Sequence, residues 1–242
     1  MKEVRFFYDP NMSGTLPEEE ARHAVRVLRM KEGDRINIMD GKGTFFLAEI
    51  TTASNHHCLY RIIEQEKQER QWSGNIHLAV APTKLNDRME WLAEKATEIG
   101  WDRLSFLDCR FSERRNIKTE RMEKIIVSAV KQSHKAWIPE VNEMVSFTSF
   151  IQRYGLADGA DDDNVQRYIC HCYEENLPHL QSVLHKNKDA IVMIGPEGDF
   201  SVEEVRLATA HGFVPVSLGN SRLRTETAAL VAVHLMQLSQ SL

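Results

Sequence analysis

Three charged residues stand on or just after two glycine-bearing turns in the last quarter of the chain. Glu197 lies inside Gly195-Pro196-Glu197-Gly198, and Arg224 and Glu226 follow Leu218-Gly219. A fixed guanidinium such as Arg224 favours a developing or delocalised anion. A carboxylate beside it can accept a proton or orient the arginine. Carboxylates at such places also have humbler uses, as loop hydrogen-bond acceptors or as the complement of a helix dipole. The glycines add a second capability. They let backbone approach a ligand closely and present bare N–H and C=O groups to it.

These residues need elements to hold them. Residues 190–194 form a short apolar run rich in branched side chains, which reads as a strand buried on both faces. Ser201 and Glu204 have capping-box spacing, so a helix starts there, with Val202, Val205 and Ala208 or Thr209 as its apolar stripe and Gly212 at its end. Residues 213–218 read as a second strand, and Thr225 caps a long, mostly apolar helix. Strand, glycine turn, helix, twice over, is α/β construction, and ligands of such sheets sit outside the carboxyl ends of the strands. One glycine turn alone is no more than a tight connection. The spacing is neither G-x-G-x-x-G nor a phosphate loop ending in Gly-Lys-Ser/Thr.

GPEG before a capped helix, then LGNSRLRTETAAL after a strand, resembles the SPOUT methyltransferases and most closely their RsmE family. The resemblance implies a parallel sheet whose C-terminal segment forms a deep trefoil knot around S-adenosylmethionine. It implies methylation of N3 of a specific uridine in 16S ribosomal RNA of the small subunit, by a homodimer. On this basis Ile194, Gly195, Pro196, Gly198, Leu218, Gly219 and Leu223 are expected to line the cofactor pocket. Arg224, Glu226 and Glu197 are the candidate catalytic residues, Arg224 favouring the uridine anion and the two glutamates competing for the N3 proton. The family's usual GPEGG has Asp199 at its last position here. If that position needs positive φ, Asp tolerates it better than most residues, though less well than Gly.

With 242 residues and 42% hydrophobic content, the chain can bury one large core or two smaller ones. Its net charge of −5 gives nucleic acid no global attraction, so any basic surface must be local. The four cysteines include no C-x-x-C pair, and they read as reduced core or strand residues. Cys170-His171-Cys172 suggests metal, but a strand would put the two thiols on one face and His171 on the other, with no second ligand pair in view. No metal is expected. The N-terminal residues lack an apolar signal segment and no run approaches membrane-spanning length, so a soluble cytoplasmic protein is expected.

The front of the chain reads differently. Residues 4–8 look like a strand, and Thr15 with Glu18 like a capping box for a helix carrying Ala21, Ala24, Val25 and Leu28. Its other face offers Arg22, His23, Arg26 and Arg29, either a solvated face or a phosphate-contacting one. Residues 35–39 and 44–50 form a hairpin around Asp40-Gly41-Lys42-Gly43, with a further strand at 58–63. Residues 1–70 therefore form a small β-rich domain, similar to the PUA-like RNA-binding barrel of the same family, and 74–242 form the methyltransferase domain. The polar stretch 64–73 is the expected linker. In the second domain, a strand at 76–81 leads to a helix opened by Asp87 and Glu90, then a strand at 104–107. Residues 110–135 hold eight Lys/Arg against three Glu, a surplus of +5. Arg110, Arg114, Arg115 and Lys118 precede a helix from Thr119 and are free to reach a phosphate backbone. Residues 158–164 read as an acidic loop, and 174–186 as a helix. Two other readings stand beside this one: a SPOUT enzyme with another RNA site or acceptor atom, and a non-enzymatic RNA-binding assembly factor.

Overall fold

The computed structural model describes residues 5–54, 57–157, 162–174 and 176–241. The chain forms two compact units. One runs to Arg70 and includes Val127–Ile138; the other comprises Gln71–Ile126 and the chain from Pro139.

The first unit is a four-stranded sheet in the order β1 (Phe6–Tyr8), β2 (Arg35–Met39), β3 (Thr44–Ala53), β4 (Cys58–Lys67). The β2–β3 hairpin turns where the Asp-Gly-Lys-Gly sequence allows positive φ at Gly41 and Gly43. The stretch after β1 pairs along the other edge, with Tyr60 N–H donating to Gly14 O and Leu16 N–H to Cys58 O, both at 2.9 Å. One N-terminal stretch therefore occupies both edges and curls the sheet on itself. Phe7, Ile36, Ile38, Ala48, Ile50 and Tyr60 fill it, and Ala21 and Ala24 close one side.

Two expectations change here. Thr15 does not cap a helix; it forms a bridge with Leu59, and α1 (Glu18–Arg22) begins after Pro17 without a side-chain cap. Backbone pairing to β4 fixes Thr15 in extended form and outweighs the capping pattern. The helix continues as a π-helical turn, His23–Val27, leaving Arg22, His23, Arg26 and Arg29 exposed. Residues 64–67 are not linker but the end of β4, paired with β3 down to Thr44↔Lys67. Val127–Ile138 belongs here through Gly43 N–H to Ala136 O at 2.9 Å and Ile138 N–H to Gly41 O at 3.0 Å.

The second unit is built on a parallel sheet, in the order β11 (Val214–Val216), β9 (Val165–Cys170), β10 (Asp189–Ile194), β5 (Ile76–Val80), β6 (Arg103–Asp108), β7 (Glu140–Val141), with β8 (Val145–Ser146) beside β6. The apolar runs predicted as doubly buried strands are so: every residue of β5 is buried. One face packs α4 (Phe147–Tyr154) and α6 (Val202–Ala210) around Phe147, Phe150, Met193, Phe200 and Phe213. On the other, α7 (Thr225–Ser241) packs against β5, β10, α2 (Asn86–Ile99) and α5 (Leu180–Val183). The basic stretch leads into α3 (Thr119–Gln132), whose Met122, Ile126, Ala129 and Val130 are buried.

The Ser201–Glu204 capping box is formed in full, although Val202 points outward and not into the stripe. The Asp87–Glu90 box is not formed. Leu85 is the N-cap of α2, and Glu90 accepts instead from Arg121 at 2.8 Å. The helix expected over 174–186 shrinks to α5, because Pro178 and the His179↔Ser217 bridge hold the preceding backbone extended. Of the acidic stretch, 158–161 lie outside the described residues, as does Val4 of the first expected strand.

Candidate functional site

The register places the site. Ile194 at the end of β10 pairs with Val80 at the end of β5 and with Cys170 at the end of β9; Cys170 pairs in turn with Val216 of β11. These strands are parallel, so the loops after them share one rim. The two glycine turns thus flank the loop that follows β9, and the basic loop 109–118 after β6 lies on the same rim.

The first turn is closed by Asp199 N–H to Pro196 O at 2.9 Å. Ile194, Gly195 and Pro196 are buried, while Glu197 and Gly198 face outward. A Cβ at Gly195 would come within 3.1 Å of the Phe200 ring and backbone nitrogen, so any larger residue would have to push Phe200 aside. Asp199 has φ +65°, the left-handed region that glycine enters freely. Its carboxylate compensates: one oxygen accepts from Phe200 N–H at 2.7 Å and the other from Cys172 N–H at 2.9 Å. Tyr173 adds a hydroxyl bond to Phe200 O. Glu197 accepts from Lys84 N–H at 2.9 Å, tying this turn to the loop after β5.

The second turn is held by Ser217, whose hydroxyl accepts from Gly219 N–H at 3.0 Å. Gly219 has φ +111°, and a Cβ there would meet nothing within 4 Å. Open space above a positive-φ glycine gives a ligand access to bare backbone. Leu218 and Leu223 are half-buried at the margins.

Glu226, in the first turn of α7, is buried. One oxygen lies 3.6 Å from Arg88 Nε, in the first turn of α2; the other is buried without a hydrogen-bond partner among the described residues. Arg224 is exposed, and no described residue pairs with its guanidinium. A second orphan belongs to His171, just past β9 between the two glycine turns. Its Nδ1 accepts from Tyr173 N–H at 3.2 Å, so the proton sits on Nε2, which is buried and unpartnered. Sequence reasoning missed the pairing of Arg88 with Glu226 and the buried, unpartnered Nε2 of His171. The signal for Arg88 was its place one turn into the helix after a rim loop. His171 was misread because the strand was carried on to Cys172, whereas β9 stops at Cys170.

Burial pushes the thiols of Cys109, Cys170 and Cys172 up, so each stays protonated and none offers a thiolate. No cluster of three metal-ligating side chains occurs among the described residues, nor does any helix long and apolar enough to cross a membrane.

The basic residues divide by unit. Arg22, Arg26 and Arg29 are exposed in the first. In the second, Arg114 and Arg115 are not loose arms: Arg114 donates to the carbonyls of Thr83 and Lys84, and Arg115 to Asp108 and to Arg110 O. They frame a recess of about 400 Å³ lined by Lys84, Glu113, Arg114, Arg115 and Asn116. Arg110 and Lys118 are exposed beside it.

A parallel sheet with two glycine turns on one rim and a basic loop beside them has the build of a domain that takes its ligand at the strand ends. The chain belongs to the RNA methyltransferase family: residues 70–237 match its RNA methyltransferase domain, and residues 16–63 match the RNA methyltransferase PUA domain. Among its relatives, Ribosomal RNA small subunit methyltransferase E of Bacillus subtilis is 29% identical over 225 residues, covering 89% of this chain and 86% of that protein. A crystal structure of a probable rRNA-methyltransferase from Porphyromonas gingivalis is 43% identical, covers 98% of both chains and superposes with a TM-score of 0.89. The Neisseria gonorrhoeae Ribosomal RNA small subunit methyltransferase E bound to S-adenosyl methionine is 27% identical over 98% of both chains, with a TM-score of 0.84.

Proposed function

We propose that this protein transfers a methyl group from S-adenosylmethionine to N3 of a specific uridine in 16S rRNA of the small ribosomal subunit. The observation that carries the reading is the pair of glycine turns flanking the β9 loop on one rim, in a chain of this family. The residues fit such a cofactor. Gly219 opens onto free space, and His171 holds a buried polar atom that gains a partner from a ligand seated there. When bound, the cofactor supplies a methyl group already activated on a sulfonium.

The protein's task is then to position that group and prepare the acceptor. Ile194, Gly195, Pro196, Gly198, Leu218, Gly219 and Leu223 supply backbone and apolar contacts to the adenosine part. Uridine N3 carries a proton at neutral pH and becomes a nucleophile only without it. The resulting charge spreads onto the two flanking carbonyl oxygens, where the unpaired guanidinium of Arg224 stabilises it. Of the two glutamates, Glu226 has an oxygen to spare, and Arg88 holds its carboxylate in place; we assign it the N3 proton. Glu197 is committed to the loop through Lys84.

The same reading makes residues 1–70 a PUA-like RNA-binding domain, with Arg22, Arg26 and Arg29 on phosphates. It makes 74–242 the catalytic domain, with a deep trefoil knot at the cofactor site and Arg110, Arg114, Arg115 and Lys118 contacting RNA. The protein works as a cytoplasmic homodimer. Because α7 buries Ala229, Ala232, Val233 and Met236 in its own unit, the side carrying half-buried Leu230, Val231, Leu235 and Leu238 and exposed His234 remains for a second copy.

The test is methyl transfer from labelled S-adenosylmethionine to small subunits from a strain lacking this protein, followed by nucleoside analysis. Wild type should give 3-methyluridine, and Arg224→Ala should lose the rate while keeping cofactor affinity. A different methylated nucleoside would sink the substrate claim. RNA binding without any methylation would favour the assembly-factor reading.

A further inference from the structure

One large aromatic side chain on the rim is held out of the core by a tightly fastened turn. The chain leaves β6 through Cys109-Arg110-Phe111-Ser112. Ser112 N–H donates to Cys109 O at 3.1 Å, and Cys109 N–H donates to Ser112 Oγ at 3.0 Å. Cys109 and Ser112 are buried, whereas Phe111 between them is 46% exposed. The turn is fastened again from outside, because Arg110 N–H donates to Glu204 Oε1 at 2.8 Å, on the glutamate whose other oxygen completes the α6 capping box. Phe111 lies directly on the first glycine turn: a Cβ on Gly198 would sit 3.1 Å from the Phe111 Cβ. The Arg110 guanidinium stands 5.9 Å from the centre of the Phe111 ring.

Leu85, Tyr173 and Val202 are also exposed on this rim, but of these four Phe111 alone combines an aromatic ring, a guanidinium over one face of it and contact with Gly198. A fastened, half-exposed ring adds little to the core. It does present a flat apolar surface flanked by positive charge, which is what holds an unpaired base of a nucleic acid. Resting on the methyltransferase assignment above, we propose that Phe111, with Arg110, is the platform on which the target uracil stacks. The chemistry of the acceptor favours this hold. N3 and its two flanking carbonyls lie in the plane of the base, on the edge that pairs in a duplex. An enzyme that works there must take the base out of its stack. It must also leave that edge free for Arg224 and the methyl donor. Gripping the base by its face does both.

The variants Phe111→Leu, Phe111→Trp and Phe111→Tyr separate stacking from space filling. Steady-state methylation of small subunits should show kcat/KM lowered by about 30-fold in Phe111→Leu, mostly through KM, as expected for one lost base–aromatic stack. Phe111→Trp and Phe111→Tyr should stay within about 3-fold of wild type, since each keeps a ring face. Calorimetric affinity for S-adenosylmethionine and the sedimentation coefficient should not change in any of them. Equal damage from Leu and Trp would make Phe111 a packing residue of the Gly198 turn and overturn the proposal. Lost cofactor affinity would do the same, and a changed sedimentation coefficient would turn the ring into a contact between copies. A second measurement does not need turnover: photocrosslinking to a short RNA carrying 5-iodouridine at the target position, mapped by mass spectrometry. A crosslink at Phe111 supports the platform even if no methyl group is transferred, which separates its failure from that of the assigned reaction. Crosslinks only elsewhere overturn it.

Discussion

Asp199 carries two opposed effects that mutation can separate. Its φ of +65° costs an ordinary L-residue about 1 kcal/mol relative to glycine. Its carboxylate accepts from Phe200 N–H at 2.7 Å and Cys172 N–H at 2.9 Å, part-exposed bonds contributing about 1 kcal/mol each. Asp199→Gly removes both bonds and relieves the strain, for a net loss of about 1 kcal/mol. Asp199→Ala removes the bonds and keeps an unfavourable backbone, for a loss of about 2–3 kcal/mol. Asp199→Asn tolerates the conformation but offers one acceptor oxygen to two N–H donors, so it loses one bond, about 1 kcal/mol. Urea unfolding should therefore find Asn and Gly about equally mild and Ala the worst. S-adenosylmethionine affinity should fall in Gly and Ala, because the bond to Cys172 joins the first glycine turn to the β9 loop. If Ala proves as mild as Gly, backbone strain at 199 plays no part. If Gly is more stable than wild type, the two bonds contribute nothing, and the account of why Asp stands here fails.

His77 is buried against Phe150 and Tyr154, with its ring 2.8 Å from Ser105 Oγ, and burial first, then Arg103 and Arg153, hold its pKa down to about 3. The unfolded chain takes up this proton near pH 6.5 and the folded one does not, so stability is flat above pH 6.5 and falls from there towards pH 3. Between pH 7.5 and pH 5 this group should remove about 2 kcal/mol, measured as a drop in urea midpoint that His77→Gln abolishes. Arg88→Met leaves the Glu226 carboxylate buried without its counter-charge and should cost about 2 kcal/mol; adding Glu226→Gln should restore part of it, and a double variant worse than the single would refute the pairing. In the first unit, Gly43 has φ +103° and a Cβ there would collide with the Trp137 ring, so Gly43→Ala should destabilise by about 3 kcal/mol in chemical denaturation.

Sequence pattern carried the frame of this protein because its signals are local. The run at 190–194 is apolar on both faces, Ser201 and Glu204 are one helical turn apart, and a glycine must follow a strand that turns sharply. Each of these is settled by neighbours within a few residues. Local signals failed where a distant partner competed for the same group. Thr15 was taken by Leu59 and Glu90 by Arg121, and both helices then began without the caps their sequences offered. Within the candidate site the same division holds. The glycines were legible; the partners of Glu226 and Asp199 were not, because Arg88 opens the helix after the β5 loop and Cys172 lies in the β9 loop, and both meet their partners only through the sheet register.

That division also explains why a site of this kind is built from turns on adjacent parallel strands. Each turn alone has too few internal bonds to hold its shape. Here Glu197 reaches the β5 loop, Asp199 the β9 loop and Glu204 the β6 loop, all from one short stretch after β10. Three carboxylates fasten three neighbouring loops, each by accepting a backbone N–H, so the rim is set before any ligand arrives. Charge at those positions thus serves order, and the groups we propose for chemistry, Arg224 and the open oxygen of Glu226, lie instead at the second turn and the start of its following helix.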